Sequence, residues 1–193
     1  MNDPILAEPA LNPLERLLDV HFSEQVLSKL LGPDSAALGE PIWNRALRGP
    51  VRDFVERPSK ALRAGLLASC HQLAGGRGPC PDELSAVVEI LHAGSLIIDD
   101  IEDASTARRG RPALHLMHGL PVALNAANWM YFWALSLLQD LPLGEKSQLL
   151  LHRWALRTLM RCHHGQSLDL TANVYELRQA DVAGVVRATT ELK

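Results

Sequence analysis

From about residue 13 onward, apolar side chains recur three and four apart, as in Leu14, Leu17 and Leu18 and then Val26, Leu27, Leu30 and Leu31. No convincing stretch alternates with a period of two. Such spacing lines one face of a helix, whereas a half-buried strand would need every second residue. The chain is therefore predicted to be all-α. Turn signals at Asn12-Pro13, Gly32-Pro33, Gly49-Pro50, the loop from Gly75 to Pro81, Gly119 to Pro121 and Pro142 to Gly144 divide it into helices. These are expected near 13–31, 60–74, 82–103, 121–139, 145–165 and 180–193, with shorter or broken helix from 36 to 57.

The remaining bulk properties exclude several classes of function. A length of 193 residues suits one domain or most of a larger one. A net charge of −3, from 19 Lys and Arg against 22 Asp and Glu, leaves no basic stripe for a nucleic-acid backbone, so no nucleic-acid partner is expected. Cys70, Cys80 and Cys162 are odd in number and form no Cys-x-x-Cys pair. That argues against a disulfide framework or zinc knuckle and for a reducing compartment, read as the cytoplasm. No basic-then-apolar leader opens the chain, and no apolar run reaches the roughly 18 residues of a membrane span. Gly184 to Lys193 reads as a helix in progress without a stop signal, so residues 1–193 are expected to be the N-terminal part of one larger domain.

Chemistry concentrates at the end of the helix expected from 82 to 103. Ile90, Leu91, Leu96, Ile97 and Ile98 lead into Asp99, Asp100 and Asp103, so carboxylates terminate a buried helix instead of decorating an exposed one. Asp99 and Asp103, four apart, share a face about 6 Å apart along the axis, while Asp100 points about 100° away. Their mutual repulsion asks for a cation, and hard oxygen donors with room for water and phosphate suit Mg²⁺. Arg108 and Arg109 follow within ten residues of Asp99, offering permanently charged forks that match phosphate oxygens. Upstream, Lys60 and Arg63 are three apart at the start of an expected helix, whose free N–H groups also favour an anion. Downstream, Gly165 is expected to interrupt a helix between His163 and Asp169 and to set Gln166 and Asp169 among leucines.

In this order the motifs resemble the polyprenyl synthetase family of isoprenyl diphosphate synthases, over a stretch from about Pro58 to Lys193. They are Lys60-x-x-Arg63, the aspartate-rich Asp99-to-Asp103 run, Arg108 to Pro112 with His115, Gly165-Gln166-x-x-Asp169, and Lys193 in place of a family lysine. The Asp99-to-Gly110 stretch and Asn125 to Phe132 look most like geranylgeranyl diphosphate synthases of eukaryotic type. Arg111, where an apolar residue is frequent, departs from the pattern.

The resemblance implies an isoprenoid synthase-type helical bundle around a central apolar cavity, with its C-terminal helices missing here, and a homodimer when complete. It implies a Mg²⁺-dependent trans-prenyltransferase that joins isopentenyl diphosphate to an allylic diphosphate. Asp99 and Asp103 would bind the metal, with Asp100 in support and Gln166 at the reaction centre. Arg108 and Lys193 would hold the allylic diphosphate, and Lys60, Arg63, His92 and Arg109 isopentenyl diphosphate. His92 lies seven residues before Asp99, two turns along the same face, which suits that role. Ser95 and Gly94 are small, leaving no aromatic plug one turn before Asp99. Tyr131, Phe132 and His163 match positions that resemble the cavity floor, and a C20 product is expected.

Two other readings compete. A non-catalytic partner subunit could retain the same motifs, and a terpene cyclase on the same fold also uses an aspartate-rich metal site. The second diphosphate-binding set, Lys60, Arg63 and Arg109, argues against a cyclase. Zinc held by His115 and His118, or by His163 and His164, lacks a cysteine or glutamate at ligand spacing.

Overall fold

The computed structural model describes residues 12–172 and 175–192. They form helices joined by short loops and one two-stranded ribbon. Two compact units divide the chain, Met1–Ala134 and Leu135–Lys193. Among the described residues, no helix is long and apolar enough to cross a membrane.

The first unit is organised on α7 (Asp82–Glu102), 21 residues long and packed against α1 (Pro13–His21), α5 (Gly49–Val55), α6 (Leu62–Leu73) and α8 (Leu114–His118). Its buried positions, Ala86, Val87, Ile90, Ala93, Gly94, Ile97 and Asp100, step by three and four, as the periodicity requires. Gly94 meets α9 (Leu120–Leu137), where a Cβ would come within 3.0 Å of the Ala127 carbonyl oxygen and 3.3 Å of the Met130 Cβ. Its small size therefore serves the close approach of two helices.

Several expected boundaries move. The helix anticipated over 13–31 breaks at Phe22 and Ser23, where Ser23 takes an extended conformation as N-cap of α2 (Glu24–Leu31) and its hydroxyl donates to the Val20 carbonyl. Between residues 33 and 55 come the single turns α3 (Pro33–Ala36) and α4 (Glu40–Trp43), a π-helical turn at Asn44–Arg48, and α5. Phe22 and Trp43 join His21, Trp129 and Trp133 in one aromatic cluster.

In the second unit α10 (Glu145–Thr171) runs straight through Gly165, which is buried, so the glycine does not interrupt the helix as expected. One glycine costs a helix only about 1 kcal/mol, too little to break a 27-residue element. The helix packs against α11 (Gln179–Leu192), and Gln148 secures its first turns by donating to the carbonyls of Gln139 and Leu141.

Candidate active site

The C-terminal turn of α7 presents its three aspartates differently. Asp99 is partly exposed, Asp103 forms the exposed C-cap, and Asp100 is fully buried. Asp100 accepts from Arg108 Nη2 at 2.6 Å and Nε at 2.9 Å, a fork on one carboxylate oxygen. Its other oxygen, Oδ2, is buried without a hydrogen-bond partner. Arg108 Nη2 also reaches Asp99 Oδ2 at 3.5 Å. Hydrogen bonding to Asp100, reinforced by the charges of all three aspartates, raises the Arg108 pKa against its partial burial.

Arg108 and Arg109 sit on a hairpin of β1 (Ala107–Arg108) and β2 (Arg111–Pro112), in register Ala107↔Pro112 and Arg108↔Arg111. Arg109 and Gly110 form its tip with φ of 51° and 77°. Two successive positive φ angles match the right-handed twist of a tight hairpin, though arginine adopts that region at a cost of about 1 kcal/mol. The geometry sends neighbouring arginines to different partners. Arg108 goes to the aspartates, whereas Arg109 lies with its guanidinium carbon 5.3 Å from the Phe54 ring centroid.

Around Arg109 a second group assembles. Burial lowers the His92 pKa, and the charges of Arg63, Arg109 and Arg108 lower it further, against Glu89. Burial likewise lowers that of Arg109, with Arg108, Arg57 and Arg63 acting the same way and Glu89 opposing. Arg63, His92 and Arg109 thus share one electrostatic neighbourhood, opposed by the Glu89 carboxylate. Glu89 also accepts from the Ala64 backbone N–H at 3.1 Å, capping the start of α6. A cluster of like charges of this kind favours an anion.

Lys60 differs from the expected placement. The helix begins at Leu62, and its N-cap Ala61 is left-handed with φ of 45°, so Lys60 precedes the helix and does not share a helical face with Arg63. It stands exposed in the loop after Pro58. A hollow of about 380 Å³ reaches Pro58, Ser59, Ala61 and Glu89.

Ser95 turns its hydroxyl back to the His92 carbonyl, 2.8 Å away, and leaves a small, part-buried surface one turn before Asp99. On α9, Tyr131 is partly exposed and Phe132 is 71% exposed, a large apolar face for a side chain expected at a cavity floor. In the second unit His163, Gln166 and Asp169 follow one another along α10, Gln166 partly exposed and the other two exposed. Lys193 lies outside the described residues. Arg57, which the sequence reading passed over, is wholly buried at its side chain and donates to the carbonyls of Arg108 and Pro112. A basic residue before a proline gave no signal of that role.

The donor set suits Mg²⁺. Among the described residues no three His, Cys, Asp or Glu side chains converge as a ready-made cage. Magnesium needs none, because it uses one or two carboxylates and completes its shell with water and phosphate. Asp99 and Asp103 offer that minimum, both open to solvent and spaced one turn apart.

Comparison with known proteins gives the family and the fold. The sequence model of the family described as polyprenyl synthetase matches residues 44–190. The chain belongs to the polyprenyl synthetase family. A geranylgeranyl pyrophosphate synthase of Eremothecium gossypii is 37% identical over 145 residues, covering 71% of this chain and 45% of that protein. The geranylgeranyl pyrophosphate synthase spyE of Aspergillus fumigatus is 36% identical over 127 residues, 66% of this chain and 34% of that one. The polyprenyl synthetase chain thus spans between a third and a half of these relatives' length.

Its fold is that of solved geranylgeranyl pyrophosphate synthases. One crystal structure aligns over 93% of this chain and 51% of its own, with a TM-score of 0.64 and 22% identity. The archaeal enzyme from Geoglobus acetivorans aligns over 91% and 53%, with a TM-score of 0.62 and 20% identity.

Proposed function

We propose that this chain carries the substrate-ionising half of a prenyltransferase that joins isopentenyl diphosphate to an allylic diphosphate, with geranylgeranyl diphosphate as product. The observation that supports it most is the divergence at the hairpin tip. Arg108 stands among the aspartates and Arg109 among Arg63 and His92, giving two adjacent anion-binding groups. Two diphosphates call for two such groups, and a cyclase, with one, has no use for the second.

In this reading Asp99 and Asp103 hold Mg²⁺, which when bound offsets charge gathering on the departing allylic diphosphate. Arg108 supports the same charge with a guanidinium already oriented by Asp100, so little reorganisation is needed as the C–O bond breaks. Arg63, His92 and Arg109, with Lys60 from its loop, fix isopentenyl diphosphate so that its double bond meets the allylic carbocation. The proton then lost passes to the released diphosphate, which needs no dedicated protein base. Apolar helix faces keep water from quenching the cation. Ser95 leaves room for a growing chain one turn before Asp99, while Tyr131 and Phe132 set its limit.

The test uses a protein of the relatives' length that contains this segment. Labelled isopentenyl diphosphate, an allylic diphosphate and Mg²⁺ should yield a C20 diphosphate. Asp99→Ala should lower turnover by at least about a hundredfold, since removing one preorganised charge-stabilising group typically does so. A loss of only a few-fold sinks the assignment.

A further inference from the structure

We propose that Arg57 is a positioning residue that holds Arg108 and Arg109 in place by clamping their hairpin, an inference that rests on the anion-binding reading of that pair. The Arg57 side chain has no solvent exposure, so it touches no substrate. One of its nitrogens, Nη1, donates to the Arg108 carbonyl at 3.2 Å and to the Pro112 carbonyl at 3.0 Å, bridging the two strands. Nη2 faces both carboxylate oxygens of Asp53 at 3.4 Å, and Nε donates to the Asp53 carbonyl at 3.3 Å.

The hairpin cannot hold itself. Its strands are two residues each, and its tip carries an arginine in the left-handed region. Asp53 secures the far strand as well, accepting from Arg111 at 2.8 Å and lying 3.2 Å from His118 Nε2. Arg111, the departure noted in the sequence, thereby acquires a role in the same anchor. The guanidinium carbons of Arg57 and Arg109 each lie 5.3 Å from the centroid of Phe54, itself fully buried, so both cations share one aromatic support. Only a planar fork with five donors can serve three carbonyls and a carboxylate together.

The experiment compares the unmodified chain with Arg57→Lys, which keeps the charge and loses the fork. Amide hydrogen exchange and calorimetric titration with isopentenyl diphosphate are read on each. Exchange at Ala113, whose N–H bonds the Thr106 carbonyl, should quicken by about tenfold while α7 stays protected. Affinity should fall about tenfold, with no further loss when the substitution is made in an Arg109→Ala background, because residues acting through one another are not additive. Should Arg57→Lys fail to fold, Arg57→Gln, which retains amide donors without a lone buried charge, is read in the same way.

Unchanged protection of the hairpin, or additive losses of affinity, overturns the clamp. If Arg109→Ala weakens binding and Arg57→Lys does not, the clamp alone falls. If the unmodified chain binds no isopentenyl diphosphate, the anion-binding reading fails and takes the clamp with it.

Discussion

His92 has a proton affinity that its surroundings hold down, through burial first and then through Arg63, Arg109 and Arg108. In the unfolded chain it takes a proton near its ordinary value of 6.5, whereas in the folded chain it does so only at lower pH. The unfolded state therefore binds more protons just below pH 6.5, and stability should fall as pH drops through that window. His21, lowered by burial, adds in the same direction. A diphosphate bound beside His92, as proposed, would reverse the sign there, since an anion stabilises the imidazolium. Isopentenyl diphosphate should bind more tightly at pH 6 than at pH 8, with proton uptake measurable by calorimetry in two buffers of different ionisation enthalpy. His92→Gln should flatten that dependence.

The ion pair of Arg108 and Asp100 offers a stability test at the same scale. Arg108→Ala would leave a carboxylate with a 1% exposed side chain and no cation beside it. Discounted for the partial exposure of Arg108, the loss should be roughly 2 kcal/mol, visible as a lowered Tm. Adding Asp100→Asn should recover part of it. A loss under about 0.5 kcal/mol, the range of ordinary surface pairs, would mean the pair is solvated.

Among the elements, α7 was the most legible. Its apolar positions, its start after Pro81 and its acidic end are local features, and the helix spans Asp82–Glu102 against the expected 82–103. In the sequence Gly94 shows only as a small residue near Asp99, because its partner on α9 lies more than thirty residues away. Gly94→Val should destabilise by about 1–3 kcal/mol in a denaturant titration, as overpacked interiors do, since the Ala127 carbonyl cannot yield without moving its helix. Gly165 misleads for the opposite reason. Glycine is a local helix breaker, but a long helix absorbs one. The hairpin was invisible because its strands are too short for any alternation, and Arg57 because its partners lie 51 and 55 residues along the chain.

Across the whole molecule, composition and periodicity defined an all-α chain, and the motif order defined the family. Neither could locate Lys60 outside its helix, since that depends on the conformation of Ala61 alone. The segment holds one aspartate-rich motif and corresponds to 45% of the Eremothecium gossypii relative. By itself it should bind diphosphates yet form little or no C20 product with Mg²⁺, a contrast that titration and product chromatography on the same sample would reveal. Appreciable synthesis by these 193 residues would show that the first motif suffices.

The left-handed tip at Arg109 and Gly110 makes neighbouring side chains serve different clients, one reaching the acids and the other lying over the Phe54 ring. Spacing in this ribbon is therefore worth more than chemical identity. One residue inserted or deleted between Ala104 and Arg108 should put a different side chain opposite Asp100, and the same two arginines, still present and still charged, would lose the partners that now tell them apart.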